Sequence, residues 1–166
     1  MKRTMTALLA FGALAAPALA ADPVSIAPIQ FGSELTEKAE EYGQRELDYL
    51  AEEMRSDLER ELAGLLGENG MRLDVTILDA SPNRPTMEQM ADRGLHHSSI
   101  SIGGASLEAR LVAADGTQLE TFSYSWRSHN IRDVVGYSRW TDARRAMDRF
   151  ASDIGESLNE RYASGS

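Results

Sequence analysis

Two runs of alternating polar and apolar residues meet at Asp115-Gly116, and no other feature of the chain restricts its fold as tightly. With Asp-Gly as a two-residue type I′ turn, counting outward sets Ala114 against Thr117, Leu111 against Glu120, Ala109 against Phe122 and Leu107 against Tyr124. One face then carries Leu107, Ala109, Leu111, Phe122, Tyr124 and Trp126. The other carries Ser106, Glu108, Arg110, Thr121, Ser123 and Ser125. Both alternations agree on this register, and a slip of one residue would turn both apolar sets toward water.

A hairpin with one apolar face needs further strands and a covering layer. Met71, Leu73, Val75 and Ile77 alternate with Arg72, Asp74 and Thr76, which predicts a half-buried strand over 71–79. Residues 24–31 suit a short edge strand, because Pro28 has no amide to donate to a central ladder. Thr86 and Gln89 form a capping box that predicts a short helix to about Arg93, stopped by Gly94, and His96 to Ile102 reads as a further strand. The covering layer comes from two amphipathic stretches. Leu35, Ala39, Tyr42, Leu47, Leu50, Met54, Leu58, Leu62 and Leu65 place a helical stripe along Ser33 to Leu66, with Ser33 as N-cap, a bend at Gly43 and an end at Gly67-Glu68-Asn69-Gly70. Trp140, Ala143, Met147, Phe150, Ile154 and Leu158 do the same from Ser138 or Thr141 to Tyr162. The expected fold is α+β: a two-layer domain whose three- to four-stranded, mainly antiparallel sheet is packed on one face by a long acidic helix and a C-terminal helix.

The N-terminus predicts an address. Lys2 and Arg3 precede an apolar run from Met5 to Ala16, and Ala18-Leu19-Ala20 supplies a small-x-small cleavage pattern. Residues 1–20 read as a signal peptide and 21–166 as a single α/β domain, periplasmic or secreted. The apolar run is shorter than a spanning helix requires, so no membrane span is expected after cleavage. Cleavage removes Lys2 and Arg3 and moves the net charge from −9 to −11. That balance disfavours nucleic acid, which needs a basic face. The absence of cysteine removes disulfides, thiolate metal sites and a cysteine nucleophile.

Charge is unevenly placed. Residues 33–66 hold eleven acids and four bases, which makes that helix either a solvated face or a docking surface for a basic partner. From Arg127 to Arg145 five arginines oppose Asp133 and Asp142. Arg127, His129 and Arg132 lie in a loop that can bind an anionic partner or pair with the acidic helix. Trp126, at a strand end, is the aromatic expected to be exposed. Asn83-Arg84, between Pro82 and Pro85, can present an arginine to a phosphate or carboxylate, or form an ordinary turn whose asparagine bonds its own backbone. Gly103-Gly104 can let an anion approach the backbone, or mark a bend into a strand.

Catalytic patterns are weak. Adjacent His96 and His97 face opposite ways on a strand, so a zinc site would need one of them with His129 and a carboxylate such as Asp133. No Gly-x-Ser-x-Gly elbow is present, and Asp74 and Asp79, five apart on a regular strand, point to opposite faces. No metal or cofactor is implied.

Leu78 to Thr86, Ser101-Ile102-Gly103-Gly104-Ala105, Ala114-Asp115-Gly116, Trp140-Thr141-Asp142-Ala143 and Arg149-Phe150-Ala151 together resemble an exported proteobacterial protein family of unknown function. That family is itself distantly similar to the DUF3313-type envelope lipoproteins, which share a Gly-Gly-Ala-x-x-Glu-Ala strand, an Asp-x-x-Gly turn and a helix starting near Trp-x-Asp. The likeness covers residues 71–158 and lacks the lipoproteins' N-terminal cysteine, so membrane attachment does not carry over. It implies a small α/β envelope domain and brings no catalytic residue. The expected function is that of a soluble periplasmic binding or accessory protein contacting another envelope component. A small hydrolase using a histidine, and an assembly subunit pairing through sheet edges, are the alternatives.

Overall fold

A computed structural model describes residues 22–164, so the expected leader and its cleavage point lie outside the described residues. In chain order the elements are β1 (Val24–Ile26), β2 (Gln30–Phe31), α1 (Ser33–Glu37), α2 (Ala39–Tyr42), α3 (Gln44–Glu61), β3 (Met71–Ser81), α4 (Met87–Arg93), β4 (Gly104–Val112), β5 (Gln118–Arg127) and α5 (Thr141–Ser164).

The sheet has five strands rather than three or four. β3, β4 and β5 form the antiparallel centre, and β1 and β2 both pair parallel with β3 on its other edge. Pro28 divides this edge into two pieces, as its missing amide requires. Leu73, Val75, Ile77, Leu107, Ala109 and Leu111 turn toward the helices and are buried. α5 lies over β4 and β5 and packs along α3. Arg55 of α3 donates to the carbonyls of Ile26 and Ala27, anchoring α3 toward β1. Met147, Phe150, Ile154 and Leu158 from α5 and Leu47, Leu50, Met54 and Leu58 from α3 fill the space between helices and sheet. Each such side chain contributes about 1.5–3 kcal/mol on burial, enough for a core without disulfides. The far side of the sheet stays polar, with Arg72 held by Asp74 at 2.7 Å and Ser106 bonded to Ser125 at 2.8 Å. Among the described residues no helix is long and apolar enough to cross a membrane.

The hairpin register is the expected one, Leu107 against Tyr124, Ala109 against Phe122 and Leu111 against Glu120, but its turn differs. Gly116 N–H donates to Ala113 at 2.9 Å and Ala113 N–H to Thr117 at 2.8 Å, so the loop has three residues. Only Gly116 there takes a positive φ, +89°, whereas type I′ requires two such residues. This is a type I turn closed by a glycine bulge. Leu119 is then the extra residue that restores the register, since Val112 pairs with Gln118 and Leu111 with Glu120. Gly116→Val is expected to cost about 1–3 kcal/mol, because a β-branched residue is strained at that φ. Chemical denaturation of the variant and parent measures it, and equal midpoints would contradict the turn.

Four other expectations are corrected. The stretch from Ser33 is not one helix: Tyr42 and Leu47 are five residues apart, a step that moves the stripe off one helical face. The chain breaks there at Gly43, φ +90°, and Gly32 rather than Ser33 is the N-cap of α1. α3 stops at Glu61 because the Leu65 carbonyl accepts from Val24 N–H at 2.8 Å, tying residues after the helix to β1. His96 to Ile102 forms no strand, and β4 begins only at Gly104. The capping box on α4 is present, with Gly94 left-handed after it.

Candidate functional site

The end of the sheet where β3 finishes and β4 begins gathers most of the polar residues singled out above. Their arrangement starts from a bulge. Ile77 pairs with Leu107 but Asp79 with Ser106, leaving Leu78 extra. The extra residue reverses the strand's phase, so Asp74 and Asp79 lie on the same face, not opposite ones. Asp79 is nonetheless only 3% exposed. Lys38, between α1 and α2, donates to its Oδ1 at 2.5 Å, and Arg127 of β5 donates to its Oδ2 and, at 2.9 Å, to Ser81 Oγ. Arg127 reaches β3 by crossing Gly104, its partner on β4. A Cβ at Gly104 would stand 2.8 Å from Arg127 Cα and overlap the Trp126 carbonyl oxygen. Burial would lower the Lys38 ammonium's pKa, but the hydrogen bond and charge of Asp79, with Tyr42 and Glu34, outweigh it and leave it raised. Burial raises that of the neighbouring Tyr42 phenol.

Asn83 is fully buried, and its side chain bonds residues far along the chain rather than the backbone of its own turn. Its Nδ2 donates to Asp142 Oδ2 at 2.6 Å and to the Ser101 carbonyl at 3.2 Å. Its Oδ1 accepts from the Asp142 amide at 2.9 Å, at the start of α5. Asp142 is also fully buried, and its Oδ1 takes no hydrogen bond, with Arg145 Nη1 3.6 Å away. Gly103 lies under the Asn83 amide, 2.7 Å from where its own Cβ would be. Arg84 donates to the carbonyls of Tyr137 at 3.2 Å and Ser98 at 2.9 Å, bridging the two long loops rather than reaching outward. Gly103-Gly104 therefore admits Asn83 and Arg127, which are side chains of the chain itself.

These bonds hold open a cleft of about 370 Å³ beside the Pro82–Pro85 turn. Tyr42, Ser81 and Gln89 contribute to its lining. Its exposed wall is aliphatic: Leu95, Ile100 and Ile102 are 41%, 37% and 39% exposed. Sequence reasoning missed this cleft, since a strand over 96–102 would have used Ile100 and Ile102 in the sheet.

The remaining candidates stand apart from it. Trp126 is half-buried against the core, with the Arg149 guanidinium 5.7 Å over its ring. His129 and Arg132 are exposed, and neither side chain has a partner among the described residues. Arg139 and Arg144, by contrast, pair with Glu46 and Glu53 of α3, so the arginine segment partly neutralises the acidic helix. His96 and His97 stack with ring centroids 4.0 Å apart on an exposed loop, and His96 Nδ1 lies 2.6 Å from Ser98 Oγ. No histidine lines the cleft. Among the described residues no group of three histidine or carboxylate side chains is placed to hold a metal.

No protein-family model matches the sequence, and no curated protein matches it. Among solved structures the chain is similar to a protein from Caulobacter crescentus CB15 provisionally described as a lipoprotein, at 14% identity and a TM-score of 0.34, covering 84% of this chain and 88% of that one. It is also similar to a minor lipoprotein from Acinetobacter baumannii, at 12% identity and a TM-score of 0.31, covering 81% and 94%. At scores this low neither likeness carries an argument about fold or function, and the resemblance to DUF3313-type lipoproteins remains one of short motifs.

Proposed function

We propose that this is an exported, soluble binding or accessory protein that acts without catalysis, by contacting another component of the cell envelope through the cleft beside the Pro82–Pro85 turn. The observation that carries this reading is the aliphatic wall of Leu95, Ile100 and Ile102, kept exposed by loops that Asn83, Arg84 and Asp142 lock in place. Apolar side chains held open to water on a rigid frame are the usual anatomy of a recognition site. The basic start, apolar run and Ala18-Leu19-Ala20 pattern support export.

The test is saturable binding of the mature protein to a component recovered from envelope extract. Ile100→Glu with Ile102→Glu should abolish that binding while circular dichroism stays native. Thr121→Glu with Ser123→Glu, on the open polar face, should leave it intact. Equal binding by all three proteins would move the site elsewhere. β5 supports a second reading, because its ten residues border the sheet with no strand beyond them among the described residues. Concentration-dependent oligomers without any partner, dispersed by Ser123→Lys, would favour an assembly subunit instead.

A further inference from the structure

We infer that the occupant of the cleft is a basic segment of a partner protein, an apolar side chain seated on Leu95, Ile100 and Ile102 with lysines or arginines beside it. The inference rests on the cleft reading above and adds the chemistry of the partner.

Gln89 lies on two surfaces at once. It lines the aliphatic cleft, and it also lines a second depression between α2 and α4 that carries Glu37, Glu40, Glu41, Glu88 and Asp92 against Arg93 alone. Glu41 is already used: it accepts from Gln89 at 2.6 Å and from Arg93 at 2.8 Å. Glu37, Glu40, Glu88 and Asp92 have no ion-pair partner among the described residues. Several carboxylates elsewhere are paired, as Asp79 is by Lys38 and Arg127, Glu46 by Arg139 and Glu53 by Arg144, whereas these four gather in one depression. Unpaired negative charge is thus set directly beside an exposed apolar wall, the two joined at Gln89.

This juxtaposition selects among occupants. A second copy would bring its own acidic surface, since the chain carries −9 overall, and an anionic lipid surface would be repelled by the same carboxylates. A chain with cationic side chains next to an apolar anchor satisfies both halves. Gln89 lines both sites, so an extended segment seated in the cleft and continuing past Gln89 runs into the acidic depression. Such complementary charge would raise the association rate and fix the direction in which the segment lies.

The experiment measures fluorescence anisotropy of labelled acetyl-Ile-Leu-Ile-Lys-Arg-Lys-amide and of a counterpart with glutamine at every basic position, against the mature protein at low and physiological salt. The cationic peptide is expected to bind roughly tenfold more tightly than the neutral one at low salt and to lose most of that margin as salt rises. A variant with Glu37→Gln, Glu40→Gln and Asp92→Asn, all at exposed positions, should bring the cationic peptide down to the affinity of the neutral one and leave the neutral one unchanged. Equal binding of both peptides, or an unaffected triple variant, would overturn the charge inference and leave the cleft reading standing. Binding of neither peptide would remove both. Binding to vesicles of anionic phospholipid, in place of the peptides, would assign the surface to a membrane.

Discussion

Asn83→Ala is expected to lower the unfolding free energy by about 2–4 kcal/mol, a large loss for a polar residue in a turn. The substitution removes three hydrogen bonds, two of them to Asp142 and one to the Ser101 carbonyl. The greater cost is what remains. Asp142 is fully buried and its Oδ1 already lacks a hydrogen bond, so loss of the Asn83 amide leaves the carboxylate with no hydrogen bond and only the Arg145 guanidinium 3.6 Å away. A buried charge in that condition costs more than the bonds that were broken. Urea denaturation of Asn83→Ala, Asp142→Ala and the double variant gives the coupling. The double variant should be more stable than additivity predicts, because deleting the carboxylate removes the orphaned group. Strictly additive losses would show that the two residues do not act as a unit. The same variant should loosen the cleft, since Asn83 holds the loop at Ser101 as well as the start of α5.

Gly104→Val is expected to cost roughly 2–4 kcal/mol, although it adds apolar atoms to a strand. A Cβ there meets backbone, the Trp126 carbonyl and Arg127 Cα, neither of which can yield by changing rotamer. It also stands where the Arg127 side chain crosses to Asp79, 2.5 Å from its Cγ. Displacing that guanidinium leaves Asp79, nearly inaccessible to water, with Lys38 as its one remaining cation. Thermal unfolding and hydrogen exchange should show the damage concentrated at the β4–β5 end near Arg127. Wild-type stability in Gly104→Val would mean that β4 and β5 lie farther apart at this point than the pairing of Gly104 with Arg127 implies.

Both substitutions fall where local sequence no longer specifies the contacts that a residue makes. In sequence Asn83, Arg84, Gly103, Gly104 and Arg127 allowed either a place for an external anion or an ordinary turn, a bend into a strand and an internal ion pair, and all five lie at one end of the sheet. Their partners, however, are Asp142, the carbonyls of Ser98, Ser101 and Tyr137, Ser81 and Asp79. None of these is adjacent in the chain, and nothing about an asparagine in a Pro-bounded turn or an aspartate at a helix start reveals that the two meet. The cleft was illegible for a related reason. Ile100 and Ile102 have the two-residue spacing of a strand, but residues 95–103 pair with no strand and lie on the surface instead.

Local patterns determined the hairpin register, the β3 alternation up to Ile77, the α4 cap and the buried stripes of α3 and α5, because each is written in residues close together in the chain. Tertiary structure decided the rest. The hairpin turn took a third residue and returned it at Leu119. Leu78 bulged out and carried Asp79 to the face where Lys38 and Arg127 wait. The long helix broke at Gly43 so that Tyr42 could pack edge-on against Trp140, ring centroids 5.7 Å apart. Each of these changes satisfies a contact between residues far apart in the chain, and the energy of such a contact exists only once both segments are in place.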